Sequence, residues 1–184
     1  MKKSKFLVIA ILVIIAFFNS CQTENKVLLR KIISERQKIL VCPVHILDNQ
    51  NSSYDTTCSK TIVNYINSKN YGFAEFTTLV PPANNEWRHN EAKMLTISIN
   101  KFVEFVKKSN LPENTYILYP EFLKIGPNST IVGVHYCLLN YEGEIVMRGL
   151  INSHWPEYQK VNPKNNNDCV NVFINGFENK ITKK

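Results

Sequence analysis

The chain has 184 residues, with 22 Lys and Arg against 15 Asp and Glu, the size of one domain or of two small ones. Hydrophobic residues make up 44% of it, beside only 6 Gly and 8 Pro, which excludes disorder, collagen and coiled coil. Three of the basic residues, Lys2, Lys3 and Lys5, precede an unbroken apolar run over residues 6–18. Without residues 1–20 the balance is 19 basic to 15 acidic residues, an excess too slight to point to nucleic acid. About 41% of what remains is hydrophobic, enough for one packed core.

Thirteen apolar residues make about 20 Å of helix, short of the roughly 30 Å hydrocarbon core of a bilayer. Residues 6–18 therefore read as the core of a signal peptide, followed by Asn19-Ser20-Cys21 where an Ala-x-Ala cleavage site would be usual. This order resembles the lipobox of bacterial lipoproteins. In that family the Cys thiol is linked to diacylglycerol and the peptide is cut just before it. Ser20 and Cys21 fit the pattern, while Phe18 and Asn19 depart from it in a way that resembles the looser lipoboxes of Bacteroidetes-type bacteria. The resemblance implies a signal peptide over 1–20 and a palmitate-type acyl anchor on Cys21, since two or three chains hold a protein at a membrane where one does not. Gln22 stands where an Asp would retain the protein in the inner membrane, so the implied location is the outer membrane of the cell envelope, facing periplasm or exterior. An ordinary signal peptide or an uncleaved anchor is the alternative.

Residues 21–37 form the acylated Cys and a tether, in which Val27, Leu28, Leu29, Ile32 and Ile33 among Lys, Arg and Glu predict a weakly amphipathic helix. That helix could meet the membrane or a partner, or pack on the domain. In either case the tether is long enough to stand the domain off the lipid.

The remainder, 38–184, reads as one α/β domain. Residues 38–47 (KILVCPVHIL) predict a strand buried on both faces, ending in a turn over 48–53 whose serines can cap a helix. Tyr54, Cys58, Ile62, Tyr65 and Ile66 follow at helical spacing. Residues 71–80 predict a second strand stopped by Pro81-Pro82, and 81–90 a loop. Leu95, Ile99, Phe102, Val103 and Val106 mark one face of a second helix, ending near Asn110. From Thr115 the period changes to that of three strands, 116–125, 130–140 and 144–154, an antiparallel meander with turns at 126–129 and 141–143. A loop over 156–167 then leads to a last helix, capped by Asp168 and carrying Val170, Phe173, Ile174, Phe177 and Ile181. The predicted order is β-α-β-α-β-β-β-α, a mixed sheet with packed helices.

A first strand with a proline in it (Leu40-Val41-Cys42-Pro43-Val44), two helices and a hairpin from Val134 through Gly143 to Val146 resemble the fold shared by the TolB amino-terminal domain, the curli-secretion lipoprotein and the LpoB-like activators of peptidoglycan synthases. The resemblance covers residues 38–182 in element order. It implies a non-enzymatic envelope module that binds or scaffolds another protein of the envelope.

Motifs for chemistry are sparse. The chain has no Gly-rich phosphate loop, no Gly-x-Ser-x-Gly, no His-Glu-x-x-His and no Cys-x-x-Cys, so no cofactor is expected. Cys42, His45, His135 and Cys137 could meet as a metal site on one sheet, but strict alternation points 42 and 45 to opposite faces, so none is expected. An envelope hydrolase or metal-dependent enzyme built on His135, His154 and an acid such as Glu121 is the alternative function. Cys42, Cys58, Cys137 and Cys169 are even in number and permit disulfides in three full pairings, although Cys42 and Cys58 also suit a core as small hydrophobes. Two loops place a Trp beside a His and charged residues, a composition enriched at binding hot spots. They nominate Trp87, Arg88, His89, His154, Trp155 and Tyr158 as a partner site.

Overall fold

The computed structural model describes residues 25–49, 51–84, 90–126 and 128–182. Cys21 and the expected signal peptide, and Trp87, Arg88 and His89, lie outside them. The elements are α1 (Lys26–Ser34), β1 (Lys38–Val41), β2 (Val44–Asp48), β3 (Asn51–Asp55), α2 (Thr56–Ser68), β4 (Phe73–Phe76), α3 (Glu91–Lys108), β5 (Thr115–Ile125), β6 (Thr130–Asn140), β7 (Ile145–Asn152), α4 (Pro156–Val161) and α5 (Asn166–Thr182). All seven strands join one mixed sheet, so the α/β class and the antiparallel β5–β6–β7 meander are as the sequence predicts.

The expected first strand is interrupted. β1 and β2 both run parallel to β5, but the register moves by one residue between them, from Val41 opposite Leu118 to His45 opposite Glu121. Pro43 lies in the gap and has no N–H to give to the ladder. The extra residue reverses the alternation: Leu40 and Cys42 face α3 and Val41 faces away, whereas after the break Val44 and Ile46 face away and Leu47 returns to the α3 side.

On its outer side β1 pairs with β4 in parallel and β2 with β3 in an antiparallel hairpin. β3 replaces the turn expected over 48–53. Asn51, Ser52, Ser53 and Tyr54 are all exposed, so this edge strand carries no apolar periodicity to reveal it. The cap of α2 is Asp55, which accepts from Cys58 N at 3.0 Å, and not one of the serines. The expected strand over 71–80 shrinks to four residues.

Two layers of helix cover the sheet. Cys58, Ile62 and Ile66 of α2 and Val170, Phe173 and Phe177 of α5 pack on one face, with Leu29 and Ile32 of α1. On the other face Leu95, Ile99, Phe102 and Val106 of α3 meet Ile117, Tyr119, Cys137 and Leu139. Residues 156–161, expected as loop, form the short helix α4, which starts on Pro156 and buries Tyr158. At α5 the cap is reciprocal: Asn165 Oδ1 accepts from Asp168 N at 3.0 Å, and Asp168 accepts from Asn165 N at 3.2 Å, so Asp168 stands one turn inside the end it was expected to begin.

α1 belongs to the domain. Leu29 and Ile32 are buried, and Asn25 N donates to Val146 O on β7 at 2.9 Å. Of the expected 21–37 segment, the part from Asn25 onward is therefore bound to the domain, and four peptide steps, about 14 Å at full extension, separate Cys21 from Asn25.

Candidate functional site

The strand register sets His45, Glu121 and His135 in one row across β2, β5 and β6, on the face under α3. Glu121 is the centre of the row. Its Oε2 lies 2.8 Å from His45 Nδ1, its Oε1 lies 3.3 Å from His135 Nδ1, and Ser98 of α3 donates to the carboxylate from above at 3.4 Å. All four residues are buried, with Glu121 1% exposed. From His45 the chain of hydrogen bonds continues outward, Nε2 lying 2.7 Å from Oγ of Ser52 on the sheet edge. Tyr119 stacks on the His45 ring at 6.1 Å and Tyr54 leans against it at 5.4 Å, its hydroxyl donating to Pro81 O at 3.1 Å.

Burial by itself would raise the Glu121 carboxyl. The hydrogen bonds and charge of His135 and His45 outweigh it and hold the group down to about 2. An ionised Glu121 only accepts, so each ring carries its proton on Nδ1 to donate to it. In the neutral ring His45 Nε2 accepts from the Ser52 hydroxyl.

The one-residue slip at Cys42-Pro43 corrects the expectation that Cys42 and His45 point to opposite faces: both lie on the α3 side with His135 and Cys137. Among the described residues no three His, Cys, Asp or Glu side chains are grouped so that they could hold a metal. The four cysteines are free and buried. Burial pushes every one of these thiols up, Cys58 and Cys169 to about 12, so they behave as small hydrophobes and not as nucleophiles.

His154 is exposed in the turn after β7, apart from the buried His135, so the pair nominated for an enzyme does not converge. Of the proposed partner residues, Tyr158 belongs to the core: it is buried and its hydroxyl donates to Ile131 O at 2.6 Å. Trp155 is 38% exposed and stands at a groove of about 310 Å³ along β7. Arg148, Gly149 and Leu150 of β7 line it, with Leu95 of α3 on one side and Lys180 of α5 on the other. Gly149 lets the Tyr136 ring lie against the β7 backbone, because a Cβ there would overlap it. Among the described residues β7 pairs with β6 alone, so part of its backbone faces the groove.

Sequence reasoning missed the His45–Glu121 pair and Ser52. A Glu inside the apolar run Tyr119-Pro120-Glu121-Phe122 was the available signal, since a carboxylate is rarely buried without partners. No protein-family model matches the chain, and comparison with the curated proteins returns no match. Among solved structures the chain is similar to a PelC variant from Paraburkholderia phytofirmans, crystallised as a dodecamer, with 13% identity and a TM-score of 0.37 over 75% of this chain and 84% of that one. A likeness that distant carries no argument about function.

Proposed function

We propose that the chain is a lipid-anchored cell-envelope protein, held in the outer membrane by an acylated Cys21, that binds an extended segment of another envelope protein in the groove beside Trp155. The anchor rests on the lipobox-like order of residues 2–21, and the envelope setting on the resemblance to the TolB amino-terminal, curli-secretion and LpoB-like modules. The observation that carries the binding reading is the groove: a half-exposed Trp at its mouth, the stretch of β7 from Arg148 to Ile151, past the Asn25–Val146 hydrogen bond and with no second strand beside it among the described residues, as its floor, and Arg148, Lys180 and Glu157 around it. An added strand gains main-chain hydrogen bonds along β7, and an apolar side chain on it finds Trp155. With about 14 Å at most between Cys21 and Asn25, the domain works close to the lipid surface.

The test is crosslinking and pull-down of the full-length protein from membranes, wild type beside Trp155→Ala. A binding hot spot costs about 2 kcal/mol or more, roughly 30-fold in capture, while the melting temperature stays near that of wild type. Unchanged capture by a variant that melts like wild type would remove the groove from this reading. The anchor is tested separately. A palmitate analogue should label the wild type and not Cys21→Ser, and equal labelling would sink it.

A further inference from the structure

The hydrogen bonds that begin at Ser52 have the order of an activated serine. Ser52 Oγ lies 2.7 Å from His45 Nε2, and His45 Nδ1 lies 2.8 Å from Glu121 Oε2. With the ring proton on Nδ1, the free lone pair of Nε2 is directed at the serine hydroxyl, which donates to it. The ring has little freedom to turn, because Tyr119 stacks on it and Tyr54 leans against it. Glu121 is itself fixed on its far side by His135 and Ser98, the supporting contacts that an orienting carboxylate needs. Ser52 stands exposed on the edge strand β3, where a reactant can approach from solvent.

We propose that Ser52 is an acyl-accepting nucleophile, with His45 as its general base and Glu121 as the group that orients and stabilises the imidazolium. The substrate class is a carboxylic ester, whose carbonyl carbon is the electrophile that a serine activated in this way attacks, and Ser52 is open to it on the strand edge. Ser52 Oγ bonds to the carbonyl carbon while its proton passes to His45 Nε2. The tetrahedral intermediate then breaks its bond to the alcohol oxygen, which takes the proton from Nε2 and leaves as the alcohol. Water, deprotonated by the same nitrogen, adds to acyl-Ser52, and the carboxylic acid departs as the serine recovers its proton. This site lies on β3, at the edge of the sheet opposite β7, and depends neither on the anchor nor on the Trp155 groove.

Full-length protein treated with a fluorophosphonate should gain one adduct, which peptide mass spectrometry locates on Ser52, and Ser52→Ala should lose at least nine-tenths of it. A folded wild type that takes no adduct, or an adduct undiminished in Ser52→Ala, overturns the proposal. A second pair of variants tests the base. Ser52→Cys beside the imidazole should react with iodoacetamide at pH 7 at least tenfold faster than Ser53→Cys, its neighbour on the other face of the strand. Equal rates would show that His45 does not activate position 52, and would overturn the proposal as well.

Discussion

The two faces of the sheet are built on the same strands and hold different chemistry. Under α2 and α5 the contacts are apolar and aromatic: Tyr136 meets Phe173 edge-on at 5.1 Å, and Phe173 meets Phe177 at 5.2 Å. Under α3 an apolar half around Phe102 and Tyr119, 5.1 Å apart, gives way to the row His45–Glu121–His135. An apolar contact depends on volume and shape, and neighbours can relax into part of what is lost. A buried carboxylate depends on named partners, and removing one strands the charge of the other. The second face is therefore the one that answers to pH.

The comparison breaks most sharply at the centre of each face. Glu121→Ala leaves two imidazole N–H donors buried without their acceptor, and Phe173→Ala empties an aromatic site, so each should cost about 3–5 kcal/mol in urea melts. A loss below about 1 kcal/mol for either would mean that its face is held together elsewhere. What separates them is acid. The Glu121 carboxyl is held below its usual 4.5, at about 2, so its stabilisation is present above pH 4.5 and is lost as pH falls toward 2. That contribution is on the order of 3 kcal/mol. Melts between pH 5 and 2 should show the decline in wild type and in Phe173→Ala, and a markedly flatter profile in Glu121→Ala; parallel slopes in all three would refute it.

Smaller effects sharpen the same contrast. Gly149→Ala drives a methyl group into the Tyr136 ring on the apolar face, an overpacking that should cost about 1–3 kcal/mol, read as a lowered urea midpoint. Trp155→Ala removes a half-exposed side chain at the groove mouth and should cost less than about 1 kcal/mol in stability. A larger loss would make Trp155 part of the apolar face and not of a binding surface.

The long apolar helices were legible. α3 buries Leu95, Ile99, Phe102 and Val106 as their spacing predicts, because a helix that must cover a sheet repeats its apolar residues every three or four positions. The β5–β6–β7 meander was legible for the analogous reason. β3 and α4 were not. One is an exposed edge of Asn, Ser and Tyr, the other a six-residue helix that follows Trp155, and neither buries enough to write a period into the sequence.

The sequence by itself determined the α/β class, the element order of the core and the apolar faces, since periodicity is a property of neighbours along the chain. Only the tertiary structure decided the candidate site. His45, Glu121 and His135 are 76 and 14 residues apart along the chain in their two contacts, and they meet because β2 and β6 flank β5 in a particular register. That register depends on one residue of slip at Cys42-Pro43, which turns His45 toward α3 when strict alternation would turn it away. A strand's period is two, so a single added residue exchanges its faces. No pattern read along the chain contains that exchange, because it is made by the pairing with β5.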